Sequence, residues 1–198
     1  MARTLEELDA IVADLQDRSA IRDVLMRYSR GVDRLDRDLL LSVYHPDAID
    51  DHGVFIGTAE AFADWAIGMH TTTHVSHQHA IFNISIDLDG DVAHTESYYM
   101  FVGLNREGKP LTMGGGRYMD RFEKRDGRWA IAARVCLRDW AQLDAVPEHL
   151  DQSAMTAVKG LAPQVIEAMR TGPQPARDRS DPSYDRPLVV DPRRSTSG

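Results

Sequence analysis

Four histidines, His70, His74, His77 and His79, fall within ten residues. Imidazole takes and returns a proton near neutral pH, so this cluster is the first candidate for acid–base chemistry. On an extended backbone His77, His79, Ile81 and Asn83 share one face, and Ala80, Phe82, Ile84 and Ile86 share the other. A polar row with two imidazoles opposite an apolar row suits a strand lining a binding cavity. Surface or hydrogen-bonded structural histidines satisfy the same pattern. Zinc could draw nitrogens from His74, His77 and His79, but only two of these share a face. No paired Cys or His-Glu motif supports such a site, so no metal is expected.

A carboxylate partner is available in Asp33, five residues after Tyr28, where an apolar helix ends. There it can face a pocket and be partly desolvated, which moves a carboxyl toward the range useful for proton transfer. The alternative is a solvated residue in the charged turn Asp33-Arg-Leu-Asp-Arg-Asp. Arg134 and Arg138 alternate with Cys136 on one strand face, with Ile131, Val135 and Leu137 opposite. Two cations there stabilise a leaving group or an enolate oxygen, or they pair with Glu96 or Asp120 on neighbouring strands. Tyr28, Tyr98, Tyr99 and Tyr118 are phenols that either donate hydrogen bonds into an apolar cavity or fill the core. Tyr44, Trp65, Asn83, Tyr98 and Tyr118 are the expected substrate contacts.

The elements that must position these groups are α first and β afterwards. Residues 4–32 read as helix. Thr4 and Glu7 form a capping box, and a first apolar stripe of Leu5, Leu8, Ile11, Val12 and Leu15 follows. A break near 16–19 precedes the second stripe, Ile21, Val24, Leu25, Tyr28 and Val32, and Gly31 loosens the helix end. A short helix over 36–44 is stopped by His45-Pro46. Val54–Ile56 is extended between Gly53 and Gly57, and residues 58–69 form an amphipathic helix capped by Thr58. Phe62, Trp65, Ala66 and Met69 make its buried side. From residue 73 the period changes to 2, giving strands over 73–88, 91–104, 111–124 and 128–140. Asp89-Gly90 and Asp126-Gly127 stand where tight hairpin turns belong. Long strands suit a curved antiparallel sheet, and helices before a meander indicate α+β with helices covering one sheet face.

The 198 residues suit one domain over 1–145, a helical extension over 146–170 interrupted near Gly160 and Pro163, and an extended tail over 171–198. The tail holds five of the nine prolines, many Arg, Asp and Ser, and one apolar island, Leu188-Val189-Val190. Apolar residues make up 42% and charged residues 27%, ordinary globular usage. A net charge of -8 without a basic stripe argues against nucleic acid as a partner. No run approaches the roughly 20 apolar residues of a membrane span. The N-terminus reads as an acidic helix start rather than an apolar signal core. A single cysteine, Cys136, excludes an internal disulfide framework and fits a cytoplasmic location. No Gly-rich phosphate loop ending in Lys and no Gly-x-Ser-x-Gly elbow is present.

Several motifs occur in an order that resembles SnoaL-like domains of the nuclear-transport-factor-like superfamily. They are Tyr28-Ser-Arg-Gly-Val-Asp33-Arg-Leu-Asp36, Tyr44-His-Pro-Asp47-Ala, and His79-Ala-Ile-Phe-Asn83 running on to Asp91-Val-Ala and Glu96-Ser-Tyr98. Gly116-Arg117-Tyr118-Met-Asp120-Arg and Asp126-Gly127-Arg128-Trp129 complete the set. The resemblance spans roughly residues 5–141 and is strongest to the group of hexachlorocyclohexane dehydrochlorinase, bile-acid 7α-dehydratase and scytalone dehydratase. The dehydrochlorinase pattern matches Asp33 in its Gly-Val-Asp run, His79 four residues before Asn83, and Arg134. The bile-acid dehydratase pattern matches Tyr28 with Asp33, then His77 and Arg138.

The resemblance implies a curved sheet wrapped by N-terminal helices into a cone, barrel-like and of cystatin-like topology. It implies a cofactor-free lyase or isomerase for a hydrophobic, ring-containing small molecule. His79, or His77, abstracts a proton from carbon. Asp33 fixes and charges the imidazole, and Tyr28, Arg134 or Arg138 assists the departing group. A homotrimer or homodimer is expected, because one sheet face is left uncovered and carries apolar side chains. Two other readings share this fold. One is a polyketide-cyclase-type enzyme using the same Asp. The other is a noncatalytic assembly module like the small subunit of ring-hydroxylating dioxygenases, which needs no Asp–His contact.

Overall fold

The computed structural model describes residues 3–106, 111–144, 163 and 178–180. Apart from those last four residues, the helical extension and the tail lie outside the described residues, as does the Leu188–Val190 island.

Helix α1 (Leu5–Asp33) starts on the complete Thr4–Glu7 capping box and runs 29 residues without the break expected near 16–19. That turn is bridged by the Asp14–Arg18 ion pair and pinned from outside. Arg18 donates to the Ile86 carbonyl, and Asp17 accepts from Lys124 and Trp129. The second stripe is buried against the sheet, whereas Leu5, Leu8, Ile11, Val12 and Leu15 are exposed among the described residues. Gly31 does not loosen the helix. A Cβ there would stand 2.8 Å from the Leu40 backbone nitrogen, so glycine is what lets α2 (Arg37–Leu41) lie against the end of α1.

The short helix ends at Leu41, earlier than expected, and Pro46 lies inside strand β1 (Tyr44–Asp51). A strand tolerates proline where the ladder is interrupted. Here the β1–β6 register shifts between Tyr44 and Ile49, so Pro46 owes no ladder bond. The extended segment expected at 54–56 moves to β2 (Ile56–Thr58), because Gly53 (φ 74) and the His52 N–H to Phe55 carbonyl bond build the turn first. Helix α3 (Ala59–Thr73), capped by Thr58, continues one turn past residue 69 and so carries His70.

Strands β3 (His74–Asp89), β4 (Val92–Asn105), β5 (Leu111–Arg125) and β6 (Arg128–Asp144) form the expected antiparallel meander. Asp126 and Gly127 have φ of 51° and 74°, the two positive values a type I′ turn requires. The earlier loop falls one residue later than expected, on Gly90-Asp91, because Asp89 pairs with Val92. The six strands make one curved, unclosed sheet in the order β2-β1-β6-β5-β4-β3. β1 pairs parallel to β6, a correction to a purely antiparallel sheet. α1 packs on β3 and β6, and α3 on β1, β2 and β3. Phe62, Phe122, Trp129 and the second α1 stripe fill the space between. The architecture is α+β, and among the described residues no helix is long and apolar enough to cross a membrane.

Bulges change which residues face inward. Between Phe82 and Ser85 the β3–β4 register slips at Asn83 (φ 52), so Ile81 and Ile84 both pack on the core while Phe82 is exposed. The expected row Ala80, Phe82, Ile84, Ile86 is therefore split. Between Ile131 and Ala133 β6 holds one extra residue, so Ile131 is wholly buried while Val135 and Leu137 stay on the outer face.

Candidate active site

The end of α1 delivers Asp33 to the start of β3. The His79 backbone N–H points at both carboxylate oxygens, at 3.1 and 3.0 Å, and His79 Nδ1 lies 2.7 Å from Oδ1. A carboxylate accepts only, so Nδ1 carries the donated proton and a neutral ring keeps its lone pair on Nε2. The His79 ring borders an apolar cavity and Asp33 stands behind it.

Both imidazoles of this β3 face approach Asp33. His77 Nε2 is 3.7 Å from Asp33 Oδ1 as well, because the carboxylate sits between two rings whose centroids are 5.7 Å apart. His77 differs in its setting. Its side chain is fully buried, it donates from Nε2 to the Val32 carbonyl at 3.1 Å, and it stacks on His70 at 4.0 Å. His77 is not among the residues bordering the cavity. His70 and His74 share a proton between their Nδ1 atoms, 3.1 Å apart.

The cavity encloses about 290 Å³ and is mostly apolar. Tyr28, Trp65, Tyr118 and Arg138 border it together with His79. Four other expected residues are placed elsewhere. Tyr44 is buried behind the wall, its hydroxyl donating to Asp50 Oδ2 at 2.6 Å. Asn83 occupies the β3 bulge and is exposed. Tyr98 lies 41% exposed, because strand alternation sends it away from its buried neighbour Tyr99. Arg134 is buried away from the cavity. It makes a bidentate pair with Asp120 at 2.6 and 2.8 Å, and its guanidinium lies 4.0 Å from the Tyr28 ring centre and 4.2 Å from that of Tyr118. Of the two readings of this arginine, the neighbouring-strand partnership is the one observed. Burial pushes the Tyr28 phenol far above its ordinary range despite the guanidinium beside it, so it is a neutral O–H. Burial likewise pushes up the Cys136 thiol on the cavity wall.

Sequence reasoning missed one imidazole of this cavity, which His70 and His74 border as well. His52 borders the same cavity, its Nδ1 donating to Asp50 and its Nε2 lying 3.2 Å from the Tyr28 hydroxyl. The signal was the alternation Ala48, Asp50, His52 ahead of Gly53, hidden by reading Pro46 as a stop. A cation could draw ligand atoms from Asp33, His77 and His79, which lie within 4.8 Å of one another, so Asp33 replaces His74 in the set weighed from sequence. Binding there would displace the hydrogen bonds His77 makes to Val32 and His79 to Asp33.

Residues 13–135 match the SnoaL-like domain. No curated protein sequence matches the chain. Among solved structures, LinA superposes with a TM-score of 0.66 at 20% identity, covering 71% of this chain and 97% of LinA. The type 3 hexachlorocyclohexane dehydrochlorinase LinA of Novosphingobium barchaimii gives 0.62 at 20% identity, covering 69% and 98%. A scytalone-dehydratase-like protein of Novosphingobium aromaticivorans gives 0.61 at 20% identity, covering 68% and 91%.

Proposed function

The chain belongs to the SnoaL-like domain family, and from that premise we propose that it is a cofactor-independent lyase, or a related isomerase, acting on a hydrophobic ring compound. The observation that carries this reading is the Asp33–His79 pair, a charge-assisted 2.7 Å contact with the ring edge on an apolar cavity. Nε2 of His79 takes a proton from substrate carbon, and Asp33 stabilises the imidazolium that forms. Tyr28 and Arg138 on the wall supply donors to charge developing on the departing group. A noncatalytic module has no use for this contact. The similarity to dehydrochlorinase and dehydratase folds supports the same reaction class.

The partner of the uncovered sheet face is a second copy of the chain, in a homotrimer or homodimer. Phe82, Tyr98, Val135 and Leu137 are each about 40% exposed there. A cytoplasmic location accords with the lone cysteine.

The test is carbon-acid exchange. The α-protons of 2-tetralone in D₂O, followed by NMR, should wash out with wild-type protein and not with His79→Ala. Equal exchange by both would remove His79 as the base.

A further inference from the structure

The curved sheet brings its two ends to one cavity. β1 and β3 have β6, β5 and β4 between them, four inter-strand steps or roughly 19 Å along the sheet. Yet His52, just past β1, and His79, on β3, border the same space. His52 is held much as His79 is. Strand alternation puts it on the same side as Asp50, which is wholly buried. One Asp50 oxygen accepts from His52 Nδ1 and the other from the Tyr44 hydroxyl at 2.6 Å. Phe62 stacks on the ring at 4.5 Å and fixes its plane. The other nitrogen, Nε2, meets the hydroxyl of Tyr28, itself on the cavity wall. This second carboxylate–imidazole pair has no part in the proton abstraction assigned to His79.

We propose that His52 is a second proton-transfer group of this cavity, donating from Nε2, directly or through the Tyr28 hydroxyl, to an oxygen that leaves the substrate. The substrate class is then a cyclic alcohol with an acidic carbon–hydrogen bond next to its carbinol carbon. This rests on the reading of His79 as base. His79 takes the proton from carbon, and the C–H electron pair becomes the new C=C bond. The C–O bond breaks with its electrons on oxygen, the His52 imidazolium protonates that oxygen, and water leaves. His79 ends protonated and His52 neutral, and proton exchange with solvent resets both. Asp50 is a positioning residue: by accepting from Nδ1 it turns Nε2 toward the cavity.

Two probes separate acid from base. 3-Hydroxy-1-tetralone loses water and needs a proton donor, whereas 3-chloro-1-tetralone loses chloride and needs none. His52→Phe, which keeps a ring stacked on Phe62, should slow the hydroxy probe at least about 30-fold more than the chloro probe. His52→Gln should do the same and stands in if the Phe variant fails to fold. His79→Ala should slow both probes. Equal loss on both probes in the His52 variants, or no loss on either, overturns the proposal. A binding arm does not depend on turnover: wild type should hold 2-naphthol about tenfold more tightly than naphthalene. That preference should vanish in His52→Phe and survive in His79→Ala. A preference that is absent, or that follows His79, overturns the assignment to His52. If His79→Ala keeps full chloride elimination, the base reading fails while the naphthol preference still decides His52. Asp50→Asn should shift the ¹⁵N tautomer signature of His52, which a purely structural role would leave unmoved.

Discussion

The Asp33 carboxylate grips His79 at two points, the backbone N–H through both oxygens and the ring through Nδ1 at 2.7 Å. Main chain and imidazole are thus oriented by one residue at the end of α1. Asp33→Asn should leave the fold intact and lower kcat by roughly 10²–10⁴-fold, with KM little changed, because the amide cannot stabilise the imidazolium. His77→Ala should behave differently. That ring is buried against Val32 and His70, so its loss should appear as roughly 2–3 kcal/mol in urea unfolding. A kcat effect of His77→Ala as large as that of His79→Ala would make both rings members of the reacting set.

Turnover should survive dialysis against a chelator. The nitrogens that face Asp33 and Val32 are engaged in hydrogen bonds to oxygen, and His79 needs no Lewis acid to take a proton. Activity lost to the chelator and restored by zinc would reassign Asp33, His77 and His79 as ligands.

Arg134 and Asp120 should matter to stability far more than to chemistry. Both are wholly buried and paired at 2.6 Å. Asp120→Ala leaves the guanidinium buried without its carboxylate, a loss of roughly 3–5 kcal/mol in equilibrium unfolding. Retained stability would mean that the two flanking tyrosine rings suffice to hold the charge.

Asp17 ties α1 to the β5–β6 hairpin and makes stability depend on acid. Burial raises its pKa, but hydrogen bonds from Lys124 and Trp129 outweigh that and hold it below the ordinary value. A carboxylate with a depressed folded pKa contributes stability fully above its unfolded pKa of about 3.9 and loses it as pH falls through the lower folded value. Asp17→Asn should therefore cost about 1 kcal/mol at pH 7, and the gap to wild type should close as the pH falls below about 4. A gap independent of pH would assign the effect to packing.

Sedimentation at micromolar concentration should give a dimer or trimer. Phe82→Glu and Leu137→Glu on the outer sheet face should shift it toward monomer with the circular dichroism unchanged.

Local signals in the chain determined much of this protein. The Thr4–Glu7 box, the second α1 stripe, the Asp126-Gly127 turn and the period-2 runs act over a few residues, so α+β order and strand spans could be read directly. Asp33 stood out because it ends a helix with a clear apolar stripe, and His79 because it belongs to a cluster of four histidines and lies on a period-2 run. Tertiary structure alone decided the rest. Strand parity failed at Asn83 and at 131–133, because bulges are set by how a long curved sheet stays paired with its neighbours. Whether Arg134 met substrate or Asp120 depended on a cross-strand register 14 residues away. The meeting of His52 with His79 in one cavity depended on parallel pairing of β1 to β6 and on curvature across the sheet, long-range pairings that no local pattern encodes.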